Sequence, residues 1–235
     1  MTQPGEGTLH LAGYVYSMAL GQCYLACRAM IDGDPDPTAQ ELAGKILPLT
    51  QETGIYQTYE PAELRLLNAP WGSLPRRERV ALSWAVEGVA VMAWALGKAP
   101  LPPFDTRCEG APVGSALGLF QHDPEVLRDA TLRDPAEIEA RALTYEVLSW
   151  RLGRFLDTRQ RIDFASRLKD STIHHCIAGG FTLLEDGDLA VDGAPLVEIS
   201  EERLLEVCTI VRERHKAFRW LLGYEQNYAA VTTIN

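Results

Sequence analysis

Apolar residues recur at three- and four-residue steps through most of this chain, in segments separated by clusters of Pro, Gly and Asp. That period is helical. It predicts a helix over residues 17–31, closed by Asp32-Gly33-Asp34-Pro35-Asp36-Pro37, with Leu9, Leu11 and Val15 forming a short strand ahead of it. Further helices are expected over 38–47 and 60–67, the second with Pro61 in its first turn. Pro75 opens and Gly97 closes a stronger one, in which Val80, Trp84, Glu87, Val91 and Trp94 share a stripe. Its other faces are rich in Ala and Val, so it belongs at the centre of a core. Pro100, Pro102 and Pro103 forbid its continuation, and residues 101–120 read as an extended surface loop.

Residues 134–169 read as the longest helix, with a break near Asp157. Ile138, Ala142, Tyr145, Leu152 and Phe155 make its apolar face, while Glu137, Glu139, Arg141, Arg151, Arg154, Arg159 and Arg161 make a charged one. Helix breaks at Gly179-Gly180, and residues 181–184 and 189–191 read as two short strands around Glu185-Asp186-Gly187-Asp188, a hairpin signal. Asp192-Gly193 is a second turn. Ser200 caps the last helix, with Glu201, Glu202 and Glu206 near its positive end. Leu204, Cys208, Val211, His215, Phe218 and Leu222 form its inward stripe, and Gly223 ends it. Tyr228 and Val231 are then expected to fold back on it. The fold class is mainly α (α+β): a single helical domain over 1–235 with a small β-hairpin near residues 181–191.

Composition narrows the partners. The chain has 235 residues, 46% hydrophobic and 23% charged, which is ordinary for a globular protein with a full core. It carries 32 acidic against 22 basic side chains, a net charge of −10. This repels nucleic acid and anionic membrane surfaces and favours, if anything, a basic protein partner. The most apolar window, residues 80–97, contains Glu87 and is flanked by Arg79 and Lys98, so no membrane span is expected. Five scattered cysteines do not make a disulfide framework and suit reduced thiols in a cytoplasm. Cys23 and Cys27, one helical turn apart, read as small buried apolar groups or, less simply, as a metal pair.

Candidate chemistry is sparse. Glu87, a carboxylate on an apolar stripe, must be paired, hydrogen-bonded or protonated. It is either an ion pair to Arg141, Arg151 or Arg214, or a general base or metal ligand. His215, on the inward stripe beside Glu213 and Arg214, is either a core histidine or the acid–base partner of Glu87. His174-His175-Cys176 resembles a metal site on paper, but adjacent side chains diverge on a helix. Asp186 and Asp188 stand in a turn that lacks the twelve-residue calcium pattern, so solvated turn residues are expected. Trp71, in its Pro/Gly loop, is the aromatic best placed to face a ligand. Phosphate loops and nucleophile elbows are missing, and the sequence implies no cofactor.

Three stretches carry a family resemblance: APWGSLPRRERVALSWAVEGVAVMAWALGKAPLPPFDTRCE at 69–109, RDPAEIEARALTYEVLSWRLGRFLD at 133–157 and GDLAVDGAPLVEISEERLLEVCTIVRERHKAFRWLLG at 187–223. Together they resemble the bacterial family called domain of unknown function 4272 (DUF4272), over about residues 69–235, with residues 1–68 outside the likeness. The resemblance implies a closing tryptophan followed by acidic residues; here the tail is Tyr228-Ala229-Ala230-Val231-Thr232-Thr233-Ile234-Asn235. The family brings no activity with it. The expected role is therefore a non-catalytic interaction or regulatory protein. The alternatives are a hydrolase with Glu87, Glu213 and His215 around a cleft, and a small-molecule sensor with its pocket under the 101–120 loop.

Overall fold

The computed structural model describes residues 9–121, 129–225 and 227–228. The chain resolves into two compact units, neither continuous in sequence. The N-terminal unit comprises His10–Pro100 and Cys108–Leu132; the C-terminal unit comprises Met1–Leu9, Leu101–Arg107 and Arg133–Asn235. The architecture is mainly helical with one small antiparallel sheet. Among the described residues no helix is long and apolar enough to cross a membrane.

In the N-terminal unit α1 (Ala12–Ile31) is the central element, packed against α4 (Arg76–Ser83) and α5 (Ala85–Ala95). The strand expected at Leu9, Leu11 and Val15 does not form: α1 begins at Ala12, with Leu11 as its exposed N-cap and Val15 fully buried within it. Helix propensity and a buried face outweigh three β-branched or aliphatic residues that have no strand to pair with. α2 (Pro37–Glu52) runs one turn further than its pattern implied, through Pro48, and α3 (Pro61–Leu67) is opened by a reciprocal capping box between Glu60 and Glu63. The helix expected from Pro75 to Gly97 bends at Trp84 into α4 and α5, which leaves Val80 half exposed while Glu87, Val91 and Trp94 are buried. The 101–120 stretch is not all loop: Gly110–Ala116 forms α6, with Pro112 in its first turn, where a missing N–H costs nothing.

One polar corner holds this unit's loops. Asp32, just past α1, pairs with Arg28 and accepts the N–H groups of Gly72 (2.9 Å) and Leu74 (3.0 Å). Burial alone would raise its pKa. The Arg28 bond and the two backbone donors outweigh that and hold it below the usual carboxylate value. The Arg28 guanidinium also lies 5.4 Å from the Trp71 ring centroid.

The C-terminal unit is built on α7 (Pro135–Thr158) packed along α9 (Glu201–Leu221). α7 stops at Arg159, which adopts a left-handed conformation (φ 54°). α8 (Asp170–Ala178) follows and ends before Gly179. The hairpin expected near 181–191 is present as β1 (Thr182–Leu183) and β2 (Leu189–Val191), paired Leu183 to Leu189. A third strand, β3 (Ala194–Pro195), joins through Asp192-Gly193. Both turn residues have positive φ (52° and 76°), as a two-residue hairpin with the right twist requires.

Ser200 caps α9 by accepting the Arg203 N–H. Gly223 (φ 72°) ends the helix. Cys208 and Leu222 are only half buried, because the inward face is wider than the expected stripe and turns through Val207, Ile210, Arg214, Ala217 and Leu221. Tyr228 folds back edge-on to Trp220 at 5.7 Å, with Lys216 over its ring. Val231 and the rest of the tail lie outside the described residues.

Candidate functional site

Glu87 sits in the first turn of α5 and is fully buried. Its carboxylate accepts the Cys108 N–H at 2.8 Å, so it fastens the point where the chain re-enters the N-terminal unit. His215, 4% exposed, belongs to the other unit, and its Nδ1 has no hydrogen-bond partner among the described residues. Burial, with Arg219 adding to it, pushes its pKa down to about 4, so the ring is neutral at physiological pH. Glu213 lies on a more open side of α9 and pairs with Arg212 at 3.2 Å.

The three-residue metal candidate does not converge. Cys176 is buried within α8, while His174 and His175 are exposed and His174 Nδ1 meets the Asp170 carbonyl at 2.7 Å. Among the described residues no group of three or more His, Cys, Asp or Glu side chains is arranged to hold a metal ion. Thiols are poor nucleophiles here: burial pushes Cys23 to about 12, and Cys176 and Cys208 to about 11.

Two buried arginines organise the C-terminal unit. Arg151, placed by its sequence neighbours on a charged face, is fully buried. It forms a two-point bond to Asp188 at 2.6 and 2.7 Å. Asp188 also accepts the Leu189 N–H at 2.8 Å, and is a buried anchor rather than a solvated turn residue. Burial works against its charge, but the Arg151 and backbone bonds win, and its pKa lies below the ordinary value. Asp186 is the exposed one, paired with Arg161 at 2.5 Å. Arg214 donates to the carbonyls of Pro102 (2.9 Å), Pro103 (2.8 Å) and Thr106 (2.7 Å) and to the Tyr145 hydroxyl (3.0 Å). Arg203 adds a bond to the Asp105 carbonyl at 2.7 Å, and Phe104 is buried against Phe181. The 101–107 strap is thereby fixed within this unit.

The concave site lies in the N-terminal unit. A cavity of about 210 Å³ is lined by Tyr16, Leu20 and Tyr24 of α1, Thr53, Ile55, Lys98 and the 115–118 turn with Gln121. Tyr16, Leu20 and Tyr24 are four residues apart, one face of a helix, a signal present in the sequence but hidden among other apolar residues. The Tyr16 hydroxyl donates to the Leu117 carbonyl at 2.8 Å, and the Phe120 N–H donates to the Tyr24 hydroxyl at 3.2 Å. Phe120 has φ 64°, rare for an aromatic residue, and packs edge-on to Tyr24 at 5.4 Å. Lys98 lies over the Tyr16 ring at 5.7 Å.

Fold and site define a mainly helical protein with a small mixed-polarity pocket in one unit and buried arginine anchors in the other. The chain belongs to the family described as Domain of unknown function (DUF4272), whose model matches residues 4–171. The span differs from the sequence resemblance: it takes in residues 4–68 and stops within α8, before the hairpin and α9. No curated protein and no solved structure matches the chain.

Proposed function

We propose that this chain works by binding rather than by catalysis, as a regulatory protein whose N-terminal unit senses a small molecule. The observation that carries this is the cavity beneath the 115–121 turn. Two α1 tyrosines line it, and each hydroxyl holds a backbone group of that turn. A ligand against the tyrosines would press on Phe120, whose left-handed backbone costs on the order of 1 kcal/mol to hold. The alternative hydrolase has less support, since Glu87 and His215 are both buried away from solvent. The five free thiols support a cytoplasmic setting.

The test is a thermal-shift screen of the full chain against a metabolite library, with Ala116→Phe as the control. Ala116 is exposed at the pocket rim, so a ring there blocks entry without overpacking the core. A hit at one hundred times its Kd should add about 2.7 kcal/mol of stability, and Ala116→Phe should abolish it. Substrate turnover that depends on Glu87 and His215 would overturn the reading. A second, protein-binding role is favoured by Leu143 and Trp150. They stand two turns apart on α7, 37% and 46% exposed, on a chain whose charge of −10 suits a basic partner.

A further inference from the structure

We infer that the ligand of this pocket is a small monocarboxylate with a single-ring or branched apolar body, an inference that rests on the sensor reading above. Charge comes first. The chain carries −10 overall, yet none of the described residues lining the cavity is Asp or Glu, and the charged one is Lys98. Among the described lining residues a cationic ligand would meet no counter-charge; an anion meets an ammonium group already held against the Tyr16 ring.

Hydrogen bonding points the same way. The Tyr24 hydroxyl accepts the Phe120 N–H, and among the described residues nothing accepts its own proton. The residue is 2% exposed, and burial raises its pKa above the ordinary phenol value, so that proton stays on. A buried donor with no acceptor is costly. Lys98 and Tyr24 therefore present two donors to the cavity, the arrangement that a carboxylate satisfies and that an amine does not.

Size sets the body of the ligand. A dry cavity of about 150 Å³ holds a benzene ring, so 210 Å³ admits one ring with a carboxyl group and little more. Leu20, Ile55 and the faces of Tyr16 and Tyr24 supply apolar walls for that ring.

The experiment is calorimetric titration of the full chain at fixed ionic strength with three probes of one shape: sodium benzoate, benzyl alcohol and benzylamine. Benzoate should bind at least tenfold more tightly than the other two. Lys98→Met and Tyr24→Phe should each weaken benzoate about tenfold while leaving benzyl alcohol unchanged; Lys98→Met alters an exposed side chain and keeps the assay independent of folding defects in Tyr24→Phe. If benzyl alcohol or benzylamine binds as tightly as benzoate, or if benzoate ignores both variants, the ligand class is wrong while the pocket reading stands. If none of the three binds at millimolar concentration and none raises the melting temperature, the carboxylate inference falls; if the metabolite screen is empty as well, the sensor reading falls with it.

Discussion

Arg151 and Arg214 carry much of the C-terminal unit, and they show how one buried charge decides what its surroundings must be. A guanidinium removed from water survives only if its donors are met. Arg151 is met by Asp188 at two points, and Arg214 by three carbonyls of the 101–107 strap. Arg151→Met should therefore cost about 3–5 kcal/mol, because Asp188 is left buried and uncompensated. Urea unfolding followed by the fluorescence of Trp150 and Trp220 measures it, and an unchanged midpoint refutes the argument. Arg151→Met with Asp188→Leu should recover much of the loss. Glu87→Ala removes the acceptor of the Cys108 N–H from a fully buried site, a cost of about 1–3 kcal/mol. A thermal midpoint equal to that of the parent would contradict it. The inward place of Glu87 was legible from the stripe it shares with Val91 and Trp94. That of Arg151 was not, although Leu148, Leu152 and Phe155 surround it at helical spacing. Its charge points outward while its period points inward, and the sequence does not show that Asp188, 37 residues away, neutralises it.

At the scale of elements, boundaries marked by chemistry were readable and those set by packing were not. Asp134-Pro135, Ser200, Gly97 and Gly223 mark real helix ends because each satisfies or removes a terminal backbone group. α6 is hidden in the sequence because Gly110, Pro112 and Gly114 look like loop, yet Gly114 is buried in that helix, where a side chain would crowd Leu119 and Cys23. The pocket was unreadable for the same reason: its walls come from four separate stretches, and only the α1 face is periodic. α9 offers two tests. His215 is neutral in the fold with a pKa near 4, against about 6.5 when unfolded. Its folded value is the lower one, so its contribution is complete above pH 6.5 and is lost as pH falls toward 4, by about 3 kcal/mol in all. His215→Leu should flatten the stability profile across that window; a slope identical to the parent's would show that the ring is solvated. Tyr228→Ala should cost about 2 kcal/mol, the worth of one buried aromatic side chain. Hydrogen exchange at the C-terminal end of α9 should speed up with it, and unaltered rates there would mean that the tail does not brace the helix.

For the whole molecule, the path of the chain matters more than its composition. Each unit is assembled from pieces distant in sequence: the strap 101–107 interrupts the N-terminal unit and belongs to the C-terminal one. The family match, ending at residue 171, likewise stops partway through the C-terminal unit. A fragment beginning at residue 133 therefore keeps α7, the sheet and α9 but loses the strap. Arg214, fully buried, would forfeit its bonds to Pro102, Pro103 and Thr106, and Phe181 would lose Phe104. Taking three carbonyl acceptors from a buried cation that keeps the Tyr145 hydroxyl costs several kcal/mol, comparable with the entire stability of a small domain. The fragment 133–235 should accordingly keep helical circular dichroism while losing the dispersed proton spectrum of a packed core. A fragment beginning at residue 101, which restores the strap, should recover that dispersion. Equal dispersion from both fragments would mean that the strap is ornamental and that Arg214 finds other partners.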